Sequence, residues 1–148
     1  MARHATVHLA PLPGTNFALM NGLLHEMIAN DWVDHDYIDS HTVGFDDLRR
    51  MVDDYPPERV AEICDVPADD LRHAARLLGS AERLVSTVLQ GFYQSHQATA
   101  AAVQVNNIHL IRGMLGRPGC GLLQMNGQPT AENTRECGAD GDLAGFRN

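Results

Sequence analysis

The sequence predicts a helix-rich α/β fold, and three observations carry that reading. Residues 84–89, LVSTVL, form a short apolar and β-branched block bounded by Arg83 and Gly91, the pattern of a buried strand. A glycine-bearing turn and a helical stretch over about 96–115 follow, so strand, turn and helix make a βα unit. Upstream, apolar residues recur at helical spacing between proline and glycine punctuation. The few strands are expected to belong to sheets completed by chain lying elsewhere.

The elements follow in order through three sections, 1–30, 31–80 and 81–148. Residues 6–9 read as the tail of a strand, ended by the turn signals Pro11, Pro13 and Gly14. Thr15 or Asn16 then caps a helix whose stripe of Phe17, Met20, Leu23, Leu24, Met27 and Ile28 runs to about Asn30. The free N–H groups at the start of that helix suit an anion or a purine edge. The middle section is an acidic block of short helices over 34–40, 45–54, 57–64 and 67–78, broken by Gly44, the Pro56 and Pro57 pair, and Pro67. Pro57 suits a first turn, Asp69 and Asp70 lie at a positive helix end, and Leu71, Ala74, Ala75 and Leu78 mark a buried face.

In the last section, 90–95 reads as the loop at the strand's carboxyl end. There Gly91 relaxes the turn, and Gln90 and Gln94 point into the crevice. Ala98, Ala101, Ala102, Val105, Ile108 and Ile111 share one face of the helix that follows. Residues 113–136 contain no hydrophobic block of strand length. Glycines at 113, 116, 119, 121 and 127 allow positive φ and close approach to a ligand, while Arg117 and Arg135 offer forked donors for phosphate or carboxylate.

Charge is unevenly spread. Fifteen of the 19 acids lie between Glu26 and Glu82, whereas 84–111 holds no Asp, Glu, Lys or Arg. That stretch is not a membrane span, because Gln90, Gln94, His96, Gln97, Gln104, Asn106, Asn107 and His109 interrupt it. So many amides and imidazoles either satisfy one another or meet a polar ligand, and their number favours the ligand. A net charge of −8 argues against a general nucleic-acid binder. All 11 cationic residues are arginine, which excludes a Schiff-base lysine and a P-loop lysine. Cys64, Cys120 and Cys137 form no CxxC pair, so a reducing compartment fits better than a disulfide framework. The histidines show no zinc spacing, and the opening residues show no apolar signal region.

Five pieces of sequence in order carry a resemblance. These are HLAPLPGTN with its helix, YPPERVAEICDVPADDLRHAARLL, QGFYQS, IHLIRGMLGRPGCG and NGQPTAENTRECG. Together they resemble the middle of the catalytic subunit of a molybdopterin-dependent oxidoreductase, in the dimethyl sulfoxide reductase superfamily. The GRPGCG and GQPTAENTRE pair is most similar to assimilatory-type nitrate reductases, which are cytoplasmic.

The resemblance implies a molybdenum bis(molybdopterin guanine dinucleotide) cofactor, with Pro13, Gly14, Thr15 and Asn16 on the guanine side. It puts Gln90, Gly91 and Gln94 near the pterin, with Arg117 meeting anionic groups. Gly127, Gln128, Pro129 and Arg135 resemble a loop beside the substrate funnel, where a cation attracts a small oxyanion such as nitrate. It further implies a [4Fe-4S] cluster whose ligands are not in this chain, an electron-donor protein or domain, and contact with the rest of the catalytic subunit. The metal and dithiolenes carry the chemistry, so no catalytic residue and no protein metal ligand is expected here. The chain is expected to be an internal fragment without turnover of its own. Two alternatives stand beside nitrate reduction: formate dehydrogenase or another oxidoreductase of the superfamily, and a non-enzymatic acidic helical adaptor.

Overall fold

The computed structural model describes residues 2–125. Its elements are α1 (Asn16–Ala29), α2 (His35–His41), α3 (Phe45–Val52), α4 (Pro57–Cys64), α5 (Ala68–Ser80), β1 (Val85–Val88), α6 (Gln90–Tyr93), α7 (Ala98–Ile111) and β2 (Gly121–Gln124). A single 3₁₀ turn, Ala2–His4, precedes them. The fold is helix-rich α/β, with β1, α6, α7 and β2 forming a parallel crossover unit.

Helix α1 is the axis of the packing, lying against α3, α4, α5 and α7. Its sequence suggests one apolar stripe, but burial extends most of the way round it. Leu23, Leu24 and Met27 are buried, and so are Asn21 and Gly22. Phe17, Met20 and Ile28, expected in the same stripe, are half-buried. A helix surrounded by neighbours has no solvent face for polar residues to mark. The core adds Ile38, Val52, Val60, Leu71, Ala75, Ile108 and Ile111 from the other helices.

Local chemistry sets the helix boundaries. Asp34 caps α2 by accepting a hydrogen bond from the Tyr37 amide at 2.9 Å. Pro57 opens α4, and Asp65 closes it in the left-handed conformation at φ 55°. Helix α7 ends at Ile111, short of the expected Leu115, because Gly113 turns the chain at φ 60°. A Cβ there would lie 2.8 Å from Asp34 Oδ2 and 3.2 Å from Tyr37 Cγ, so only glycine fits that approach. Apart from the half-buried cap Asp34, the acids of the middle section lie on exposed surface, several paired with nearby arginines: Asp46 with Arg49, Asp47 with Arg50, and Glu58 and Asp69 with Arg72.

Three expectations require correction. Residues 6–9 are not a strand, since no neighbouring strand among the described residues offers them a ladder; Leu9 packs on the core instead. Residues 90–93 are a turn of helix rather than loop, and Gly91 adopts no positive φ. The stretch after Gly113 does contain a strand, β2, paired in parallel register with β1: Val85 with Gly121, Ser86 with Leu122, Thr87 with Leu123, and Val88 with Gln124. With that partner, β1 is covered on one face only, so of its four residues just Val88 is buried.

The polar side chains of α7 are largely spent inside the protein. Gln104 Nε2 donates to Asn21 Oδ1 at 2.6 Å, and Asn107 Nδ2 donates to Gln104 Oε1 at 2.6 Å. Asn106 Nδ2 donates to the Ala102 carbonyl at 3.1 Å. Internal satisfaction, not a ligand, therefore accounts for these three amides. His109 Nε2 lies 2.8 Å from Ser86 Oγ, tying α7 to β1, while its buried Nδ1 has no partner among the described residues. A neutral ring with the proton on Nε2 leaves only a bare lone pair on Nδ1, the cheaper orphan.

Burial pushes the His109 imidazole below the ordinary histidine value. The unfolded chain takes up a proton near pH ~6.5 that the folded chain resists, so stability held above that pH is lost as pH falls towards the depressed folded value. His35 shifts the other way, since its exposed ring is hydrogen-bonded to Asp31. The difference between wild type and His109→Gln isolates the buried group. Unfolding free energies from urea titrations between pH 7.5 and 5.5 should fall more steeply for wild type, by up to ~1.4 kcal/mol per pH unit. Parallel profiles would contradict a neutral buried His109.

Candidate functional site

Two of the segments singled out in the sequence meet at the carboxyl end of β1. The first is the turn holding Pro13, Gly14, Thr15 and Asn16. Gly14 turns the chain at φ 88°, and the Thr15 hydroxyl donates to the Leu12 carbonyl at 2.7 Å. Thr15 occupies the N-cap position of α1 without bonding the helix through its side chain. The turn is anchored to the end of α4, where the Leu12 amide donates to the Cys64 carbonyl at 2.9 Å and the Cys64 thiol donates to the Thr15 carbonyl at 3.7 Å. Burial raises the pKa of that thiol, which suits a packed group and not a nucleophile.

The second segment is α6, which begins as β1 ends. Asn16 Nδ2 donates to the Gly91 carbonyl at 2.8 Å, joining residues 75 positions apart. Gln90 is half-buried and Gln94 exposed, and neither amide has an internal hydrogen bond among the described residues. Among the described residues, a Cβ added at Gly14 or Gly91 would meet nothing within 4 Å. Tyr93 completes the arrangement, its hydroxyl donating to the Met125 carbonyl at 2.9 Å and holding the end of β2 against α6. Nothing local signals that bridge, because β2 itself lies in a glycine-dense stretch.

Arg117 is placed elsewhere. It is exposed in the turn before β2, its nearest recorded partner being Met114 Sδ at 3.9 Å. Because Gly121 pairs with Val85, that turn lies beyond the amino end of the sheet. Gln90 lies beyond the carboxyl end, with four residues of strand, roughly 13 Å, between them. Gly127, Gln128, Pro129 and Arg135 lie outside the described residues.

The gathered groups are neutral amides, hydroxyls and backbone N–H groups on a stretch without charged side chains. An amide side chain donates and accepts together, which matches the edge of a pterin or guanine. A concavity of about 550 Å³ lies apart from them, between α2 and α3, but Asp39, Asp46 and Asp47 in its wall disfavour an anion. Among the described residues no three His, Cys, Asp or Glu side chains cluster as a metal site. No helix there is long and apolar enough to cross a membrane.

No family model matches the sequence. Curated relatives do. The chain is 36% identical over 148 residues to a nitrate reductase of Synechocystis, covering 99% of this chain and 21% of that protein. It is 31% identical over 138 residues to formate dehydrogenase H of Escherichia coli, covering 93% of this chain and 19% of the relative. The assimilatory nitrate reductase catalytic subunit of Bacillus subtilis is 33% identical over 97% of this chain and 20% of its own. The chain belongs to the molybdopterin oxidoreductases. It spans about a fifth of the length of these relatives. Acetylene hydratase from Pelobacter acetylenicus shares the fold, with a TM-score of 0.77 at 24% identity over 80% of this chain and 16% of that one. Membership of the molybdopterin oxidoreductases implies a molybdenum–pterin cofactor, and the donor set beyond β1 fits such a group.

Proposed function

We propose that this chain is a cofactor-gripping section of a molybdenum bis(molybdopterin guanine dinucleotide) oxidoreductase that reduces nitrate to nitrite. The observation that carries the reading is the Asn16 to Gly91 hydrogen bond, which brings the guanine-side turn and the pterin-side segment to one end of the sheet. With such a cofactor in place, the chemistry it would supply is oxygen-atom transfer, in which nitrate, two electrons and two protons become nitrite and water. The residues of this chain bind and orient. The unengaged amides of Gln90 and Gln94 meet heterocycle edges, and the free N–H groups opening α1 face the guanine side. Arg117 meets an anionic part of the cofactor, at a place separate from those amides. Gly127, Gln128, Pro129 and Arg135 border the path of a small oxyanion. A [4Fe-4S] cluster held outside this chain would take electrons from a donor protein or domain, and the reading places the whole in the cytoplasm. The nitrate reductases of Synechocystis and Bacillus subtilis support this substrate. Formate is the second reading, supported by formate dehydrogenase H at 31% identity.

A segment swap tests both. This chain replaces the matching stretch of the Synechocystis nitrate reductase, and bound molybdenum, released pterin and product are measured. Cofactor loading with nitrite release is expected. Loading with formate oxidation and no nitrite would move the assignment to the second reading, and a folded chimera free of pterin would end the cofactor assignment. Within the loaded chimera, Gln94→Ala should weaken pterin retention by about 2- to 10-fold, the scale of one neutral hydrogen bond. Retention equal to wild type after dialysis would remove Gln94 from the site. The 148-residue chain alone should release no nitrite.

A further inference from the structure

Helix α6 is a single turn of four residues, and a turn that short has too few internal hydrogen bonds to fix its own orientation. Two contacts made from outside hold it. On one side the Asn16 side chain donates to the Gly91 carbonyl at 2.8 Å. On the other, the hydroxyl of half-buried Tyr93 donates to the Met125 carbonyl at 2.9 Å, across 32 positions of sequence. Met125 stands where β2 leaves the sheet. Its amide still donates to the Val88 carbonyl at 2.9 Å, as a ladder residue does. Strand β1 has given way to α6 at Gln90, however, and offers no further strand donor to the Met125 carbonyl. The phenol of Tyr93 takes the place of that donor.

We infer that Tyr93 is a positioning residue for the substrate path, acting through the Met125 carbonyl, an inference that rests on the reading proposed above. Gln90 and Gln94, the amides read as meeting the pterin, flank Tyr93 on the same turn. Gly127, which opens the segment read as bordering the oxyanion, follows Met125 by two residues of sequence. One hydroxyl therefore joins the cofactor side to the start of the substrate side. A phenol suits that task, because its rigid ring has two torsions to fix and carries the donor further than serine or threonine can. In this role Tyr93 touches neither cofactor nor oxyanion; it sets the point from which the chain continues towards Arg135. Displacing that point weakens the pull on the substrate anion and leaves the chemistry of the loaded cofactor alone, an effect on KM rather than on kcat.

The test is Tyr93→Phe, which removes the hydroxyl and keeps the ring, made in the Synechocystis chimera. With pterin loaded, KM for the substrate turned over, nitrate or formate, should rise by about 2- to 10-fold, the scale of one neutral hydrogen bond. Pterin content should equal wild type, and kcat should stay within about twofold of it. Exchange of the Met125 amide, followed by mass spectrometry, should quicken by a similar factor, since the end of β2 frays without its second anchor. Unchanged KM in a loaded Tyr93→Phe chimera would overturn the inference and leave the cofactor reading standing. A variant that instead loses pterin would overturn it as well, by making the hydroxyl part of the cofactor grip. Unchanged exchange at Met125 would show that the bond does not hold the strand end, which also ends the inference. A wild-type chimera that folds without pterin would fail the cofactor reading itself, and this inference with it.

Discussion

Leu24→Ala is expected to cost about 2–5 kcal/mol of folding free energy, the range for a leucine removed from a packed interior. Leu24 is fully buried on α1, the helix around which α3, α4, α5 and α7 assemble. The upper part of that range applies, because helices on several sides of α1 hold one another in place and leave little freedom to collapse into the gap. At about 2–4 °C per kcal/mol for a chain of this size, a loss of about 4–5 kcal/mol should lower the melting temperature by roughly 8–20 °C. The loss reaches the site, since Asn16 opens the same helix and grips Gly91 across 75 positions. Thermal melts followed by far-UV circular dichroism decide the matter, and a change below about 2 °C would mean that α1 is not the packing axis.

Legibility varied with the range of the interaction. Helices with local punctuation were readable: α4 was expected over 57–64 and found at Pro57–Cys64, and the pieces expected over 34–40 and 45–54 were found at His35–His41 and Phe45–Val52. The block LVSTVL gave β1 to within a residue at each end. Strand β2 was not readable, because GLLQ is four residues long, sits between glycines, and owes its state to the β1 ladder rather than to its own pattern. The amides of α7 misled for a related reason. Asn21 and Gln104 are 83 positions apart, and nothing local in either segment signals that they pair. The same limit shaped the site. Composition and resemblance marked Gly14 to Asn16 and Gln90 to Gln94 as expected ligand-facing segments. Their meeting, and the placing of Arg117 at the far end of the strands, followed only from which ends of β1 and β2 align.

The close approach of α1 to α4 at Gly22 makes a sharper test of the same packing. A Cβ added at Gly22 would stand 2.8 Å from Val60 Cγ2, 3.1 Å from Cγ1 and 3.2 Å from Cβ. Val60 is fully buried and β-branched, so its side chain has no alternative rotamer to take up without moving α4. Gly22→Ala therefore sets two effects against each other: helix propensity gains about 0.8–1.0 kcal/mol, and overpacking costs about 1–3 kcal/mol. Overpacking wins, and Gly22→Val, with two further methyl groups and weaker propensity, should lose at least about 3 kcal/mol. The strain has a route to the site, because α4 ends at Cys64, whose carbonyl and thiol anchor the turn at Leu12 and Thr15. Shortening Val60 to alanine removes the obstruction. Gly22→Ala combined with Val60→Ala should then be more stable than the sum of the single losses by about 1–2 kcal/mol, a favourable coupling that only direct contact produces. Denaturant midpoints for the four proteins measure it. Strict additivity would mean that α1 and α4 do not touch at Gly22, and the anchoring of the Pro13 to Asn16 turn through α4 would have to be abandoned with it.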